Sequence, residues 1–175
     1  MKMKSINRFL VWLTATLFVL YSFCLNTAAA VFAPAIKQSL QTNDVGTAIA
    51  TGAFILGFAC MQIPGGYLLD RYNPRWIVSG SVLTLAIGNL LIVQTHSLIL
   101  YTIANFIQGI GGSIAFIAAA VLISQWFSAK NFPIFLGLTQ TISCVMTGVI
   151  HYYFTLELAD NSWQELYSKL GTFGC

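Results

Sequence analysis

The chain has 175 residues, 57% hydrophobic and only 7% charged, with a formal net charge of +3 and a mean hydropathy of +0.78. Soluble domains carry about 25% charged residues, so a water-exposed globular surface is excluded and lipid is the expected solvent. The positive charge is too small and scattered for a nucleic-acid footprint.

A helix crosses the hydrocarbon core with about 20 apolar residues, since each rises about 1.5 Å. By that measure, the first expected span covers about 9–34. Lys2, Lys4 and Arg8 precede it and Ala28-Ala29-Ala30 lies near its end, an arrangement shared with signal peptides. The apolar run is longer than the 7–15 residues or so of a signal core, and further apolar runs follow, so a retained transmembrane helix is expected. Four more spans follow at about 45–69, 76–95, 98–127 and 132–156, and 164–175 reads as the start of a sixth. The connections are short and polar. Lys37 lies in the first, Asn73-Pro74 in the second, His96-Ser97 in the third and Lys130 in the fourth, while 157–165 is acidic.

Charge asymmetry sets the expected orientation. With the N-terminus in the cytoplasm, Lys2, Lys4, Arg8, Arg71, Arg75 and Lys130 fall inside and Lys37 outside, with Lys169 unassigned. That distribution satisfies the positive-inside rule and the reverse violates it. The expectation is a multi-pass protein integral to the cell (inner or plasma) membrane.

The spans hold no Asp, Glu, Lys or Arg. Membrane enzymes need paired carboxylates, a His cluster or a nucleophile–base pair within reach. None is visible, so catalysis is not expected. Cys24, Cys60, Cys144 and Cys175 form no CxxC pair and read as small apolar filler. His96 and His151 have no second ligand nearby and read as surface residues near the outer ends of spans; no metal or cofactor is expected.

Two motifs carry a resemblance. The segment Gly66-Tyr67-Leu68-Leu69-Asp70-Arg71-Tyr72-Asn73-Pro74-Arg75, between spans two and three, resembles the signature loop G-x-L-x-D-R-x-G-R-[RK] of the major facilitator superfamily. Gly66, Leu68, Asp70, Arg71 and Arg75 match. Asn73 stands where the family has Gly, and Asn is the next best residue for a left-handed turn. Pro74 replaces a basic residue. In span four, Asn105-Phe106-Ile107-Gln108-Gly109-Ile110-Gly111 resembles the family's R-x-x-Q-G-x-G, with Asn105 in the arginine position. The resemblance implies that Gly66, Asp70, Arg71 and Arg75 form an inner gate whose charge-assisted hydrogen bonds hold one conformation. The arginine lost at 105 is, in the family, often tied to proton coupling. Gly66 would also allow close approach of helix backbones.

Helical spacing places Thr102, Asn105, Gln108, Gly109 and Gly112 on one face of span four, toward neighbouring helices or a cavity. Ile103, Phe106, Ile107, Ile110, Ile114 and Ile117 fall on the other, toward lipid. Asn105 and Gln108 therefore read either as substrate contacts or as interhelical hydrogen-bond partners. Polar residues at depth elsewhere are Asn26 and Thr27, Asn89, and Gln140. Asn26 and Gln140 join Asn105 and Gln108 as cavity candidates, with helix packing as the alternative.

The fold expectation is an all-α membrane bundle of five transmembrane helices plus the start of a sixth, similar to the N-terminal half of such a transporter. Family members pair two six-span halves around a midplane site. The expected function is alternating-access transport of a small solute of unknown identity. This chain is expected to be a truncated form that does not transport alone, its partners being the lipid bilayer, the solute, and a missing C-terminal half or a second copy. The alternative is a small membrane protein acting as a homodimer or as a non-transporting receptor.

Overall fold

The computed structural model describes the backbone of residues 2–173 and the side chains of residues 8–172. The side chains of Lys2 and Lys4, Cys175, and the last residues of the expected 164–175 stub lie outside the described residues. The described chain is helical throughout: α1 (Lys2–Val31), α2 (Ala33–Ser39), α3 (Asp44–Arg71), α4 (Pro74–Val93), α5 (Leu98–Trp126), α6 (Phe132–Glu157) and α7 (Trp163–Phe173). Five of these, α1 and α3 to α6, are long and apolar enough to cross a membrane.

The first apolar span covers Arg8–Val31, and the helical path continues past it. Pro34 sits in the first turn of α2, where its missing N–H is not needed. Around it the Phe32 N–H donates to the Ala28 carbonyl and the Ile36 N–H to the Phe32 carbonyl, both at 2.9 Å. The two helices are thus one bent rod reaching Ser39, and Lys37 lies on it rather than in a loop. Its end is a Schellman motif. Thr42 N–H donates to the Lys37 carbonyl at 3.1 Å and Gln41 N–H to the Gln38 carbonyl at 3.4 Å, with Gln41 left-handed at φ 48°.

Asn caps start the next two helices. Asn43 accepts from Gly46 N–H at 2.7 Å, and Asn73 accepts from Arg75 N–H at 3.1 Å. The expected left-handed turn at Asn73 is not formed. Its backbone is extended, φ −62° and ψ 120°, because Pro74 follows and biases the preceding residue away from helical ψ.

The fourth span is the centre of the bundle. In α5, 56% of the most apolar stretch is buried, against 17% in α6. It packs along α3 and α4 and against α1, whereas α6 leans chiefly on α1 and α7 on α4. Lipid tails are as apolar as leucine, so helices join through close van der Waals contact and hydrogen bonds. Glycine supplies the contact between α3 and α5. Gly57 lies against the Phe106 carbonyl and Gly109 against the Phe54 carbonyl. This position at the centre overturns one expected lipid contact. Ile114 is 3% exposed and packs with Leu69 and Ala118, because α3 covers the α5 face that reads as lipid-facing. The side of α5 at Ile103 is exposed. At the other end of the bundle, Phe32, Phe54, Leu85, Tyr101, Leu166 and Tyr167 belong to one buried cluster that joins α2, α3, α4, α5 and α7.

Candidate functional site

A groove opens between α1, α3, α5 and α6. Its larger part, about 590 Å³, is bordered by Phe23, Phe58, Gln62, Phe116, Gln140 and the start of α6. A smaller hollow of about 230 Å³ shares Phe23 and Phe58 and adds Ser22, Asn26 and Phe54. Solute sites commonly measure about 300–1,000 Å³, with apolar walls and a few polar groups that fix orientation. Here the walls are chiefly phenylalanine rings, and the polar groups are three side-chain amides and the Ser22 hydroxyl. Among the described residues, the Gln140 Oε1 has no hydrogen-bond partner, and its Nε2 reaches only the Cys144 sulfur at 3.8 Å.

A larger hollow of about 710 Å³ lies between α1, α4 and α5, toward Arg75. Its lining is mostly aliphatic, from Leu10 and Val11 to Val78, Ala118 and Leu122. A neighbouring hollow, which shares Leu17 and Tyr21 with it, is closed by Leu170 of α7. An aliphatic lining of this kind suits a packed helix better than a polar solute, so volume alone does not choose the site.

The four cavity candidates separate into two pairs. Asn26 and Gln140 border the groove, half-buried. Asn105 and Gln108 are fully enclosed, and neither borders it. Asn105 Nδ2 donates to the Tyr101 carbonyl at 3.0 Å, and its Oδ1 has no partner among the described residues. Gln108 Nε2 reaches Asn89 Oδ1 at 3.5 Å, and Asn89 Nδ2 donates to the Tyr167 carbonyl at 3.1 Å. Gln108 and Asn89 thus tie α5 to α4 and α4 to α7, whereas the Asn105 bond stays within α5.

The loop residues sit together where α3 meets α4. Gly66 does not provide a close approach. A β-carbon there would meet nothing within 4 Å, whereas Gly65, one residue earlier, faces Ile114 and Ile117 of α5. Helical phase decides this, since one position turns the side chain by about 100°. Arg71 donates to the Tyr67 hydroxyl and places its guanidinium 5.4 Å from that ring's centre. Asp70 is exposed and, among the described residues, makes no hydrogen bond or ion pair. The two ion pairs, Lys37–Asp44 at 2.6 Å and Lys169–Glu157 at 2.5 Å, are at the opposite end.

A polar seam between α1 and α6 went unread in the sequence. Thr139, Ser143, Thr147 and His151 recur every four residues and are all buried. Trp12 Nε1–H donates to Thr139 Oγ1 at 2.9 Å, and the Cys24 sulfur lies 3.6 Å from Thr147 Oγ1. His151 is 6% exposed rather than on the surface, because α1 covers its side of α6. Its Nε2 lies 2.6 Å from Thr27 Oγ1 and 3.1 Å from the Cys24 carbonyl. His96 is exposed as expected. Among the described residues, no group of three His, Cys, Asp or Glu is placed to hold a metal.

The profile described as Major Facilitator Superfamily matches residues 14–167. Among curated relatives, the multidrug resistance protein MdtL of Klebsiella pneumoniae is 22% identical over 141 residues, 81% of this chain and 36% of that protein. The probable sulfoacetate transporter SauU of Cupriavidus necator is 23% identical over 154 residues, 88% of this chain and 35% of that one. The crystal structure of a bacterial homologue of the human lysosomal transporter Spinster, inward-facing and unoccupied, superposes with a TM-score of 0.77 at 21% identity. That match covers 95% of this chain and 40% of the other. The chain thus spans about a third of the length of these two relatives.

Proposed function

This chain belongs to the major facilitator superfamily, and on that premise we propose that its helices form one wall of the path of a small solute carried by alternating access. The observation that carries the reading is the groove between α1, α3, α5 and α6, with phenylalanine walls and the amides of Asn26, Gln62 and Gln140 at its surface. A site between two bundles needs a second bundle opposite this one. On this reading the five spans alone bind but do not complete transport. Asp70, Arg71, Arg75 and Gly66 form the half of an inner gate that this bundle supplies. The uncommitted Asp70 carboxylate and the open space at Gly66 suit a partner helix arriving there. Gln108 acts behind the groove, holding α5 to α4 through Asn89, while Asn105 bonds within α5. The cytoplasmic N-terminus follows from the basic residues at the Arg71–Arg75 end.

The test is water access. Single cysteines at Asn26 and Gln140, in a chain freed of its own cysteines, are treated with a membrane-impermeant maleimide in lipid vesicles. They are expected to react. Cysteines at the exposed apolar positions Ile134 and Val149, on the lipid side, are expected not to. Unreactive groove positions would sink the reading.

A further inference from the structure

Among the described residues, His151 is the one imidazole, carboxyl, amine or guanidinium group buried within a span. The geometry at its ring fixes where its proton sits. The Cys24 carbonyl 3.1 Å from Nε2 can only accept. The Thr27 hydroxyl donates to the Phe23 carbonyl at 2.8 Å, so toward the ring it too accepts. Nε2 therefore carries the hydrogen of the neutral ring, and Nδ1 presents a bare lone pair that has no partner among the described residues.

We propose that His151 is a proton-binding site that controls the α1–α6 seam: with Nδ1 empty the seam is closed, and with Nδ1 protonated it opens. The step is one protonation. The Nδ1 lone pair takes a proton from hydronium: an N–H bond forms, an O–H bond of the donor breaks, and a water molecule is left. The product is a cation with a second N–H that finds no acceptor where it stands. A buried charge without hydrogen bond or counter-ion is far costlier than a buried neutral ring. Opening the seam gives water to that N–H, so protonation and opening are linked.

Among the described residues, the surrounding titratable groups do not offer a counter-charge. On α1 they are Arg8 at the far end, Tyr21, and Cys24, whose sulfur is directed at Thr147. On α5 there is Tyr101, whose hydroxyl lies 3.3 Å from that of Tyr167. On α6, Cys144, Tyr152 and Tyr153 are exposed, and Glu157 is held by Lys169 at 2.5 Å. Glu157 is also six residues on, about 9 Å along the helix. The same distance puts His151 within reach of water from the end of α6. Because α6 leans chiefly on α1, loosening this seam frees α6 as a unit. The inference does not require that any solute be carried.

Cys24, 3% exposed in the seam, is the reporter. The chain carries Cys60→Ser, Cys144→Ser and Cys175→Ser and is held in lipid nanodiscs. Maleimide labelling of Cys24 is measured from about pH 8 to about pH 5, a range that brackets imidazole titration. Each rate is divided by that of the same chain unfolded in detergent at the same pH, which cancels the chemistry of the thiol. The normalised rate is expected to rise about tenfold per pH unit across the titration, the dependence of an opening linked to one proton. In His151→Gln it is expected to be flat. A flat profile in the parent, or the same rise in His151→Gln, overturns the proposal. Should His151→Gln not fold, the ¹⁵N spectrum of histidine-labelled His96→Gln decides. One imidazole protonated at Nε2 at high pH, titrating in step with Cys24 labelling, supports the site. A ring that stays neutral down to pH 5, or is protonated at Nδ1, overturns it.

Discussion

A β-carbon placed on Gly109 would lie 2.1 Å from the carbonyl oxygen of Phe54, and one placed on Gly57 would lie 2.3 Å from the carbonyl oxygen of Phe106. Both obstacles are backbone, so no side-chain rotation relieves them, and α3 and α5 would have to separate. Overpacking of this kind costs about 1–3 kcal/mol. Gly109→Ala and Gly57→Ala are therefore expected to lower the unfolding temperature in detergent, measured by thermal aggregation. Gly148→Ala, where a β-carbon meets nothing within 4 Å, is the control. Equal melting of all three variants would mean that α3 and α5 are not in backbone contact.

The buried indole of Trp12 ties α1 to α6 through Thr139. Thr139→Val keeps the volume and removes the acceptor. Leaving a buried N–H unpaired costs about 1–3 kcal/mol. Here the loss is expected at the lower end, about 0.6–1 kcal/mol, since polar contacts inside membranes average about 0.6. A second acceptor, the Phe135 carbonyl, already lies 3.3 Å from Nε1. In the Trp12→Phe background, Thr139→Val should cost less than in the parent, the remainder being its contact with Thr16 Oγ1 at 3.2 Å. A double-mutant cycle by chemical unfolding measures this, and additive losses would show that the two residues are not coupled.

Gln41 is the one described residue outside glycine with a positive φ. Left-handed backbone costs a side chain about 1 kcal/mol, which glycine avoids. Gln41→Gly is expected to raise stability by somewhat less than that, since glycine also frees the unfolded chain. Thermal unfolding in detergent measures it. A drop in stability would mean that the Gln41 side chain makes contacts that outweigh the strain.

The sequence announced the spans because their apolar runs are long and their connections short and polar, and α4, α5 and α6 end within a few residues of where composition places them. It did not announce depth within the bundle. Hydropathy cannot tell a lipid-facing isoleucine from one packed on another helix, and so Ile114 read as lipid-facing. Motif matching fixed attention on Asn105 and Gln108. The four-residue recurrence of Thr139, Ser143, Thr147 and His151 is present in the sequence but carries no motif, since each residue is ordinary alone. Gly65 and Gly66 differ by one position, and only the helical phase relative to α5 shows which is the contact.

The chain of amides from Gln108 through Asn89 to the Tyr167 carbonyl is the polar link that holds α7 to α4. Asn89 Nδ2 also occupies the space beside Gly171, where a β-carbon would lie 2.3 Å away. Asn89→Leu removes both the donor to α7 and the acceptor for Gln108. It also thrusts a branched group at a backbone that has no room. Docking of α7 should therefore loosen more than the helix bundle as a whole. Hydrogen–deuterium exchange in nanodiscs is expected to speed up across Trp163–Phe173, while α3 and the centre of α5 keep their protection. Asn89→Ala, which leaves Gln108 and Tyr167 unpaired without the steric insult, should show a smaller increase in the same segment. If both variants exchange like the parent, α7 is held by the Trp163, Leu166 and Tyr167 side chains in the apolar cluster, and the amide chain is incidental to its docking.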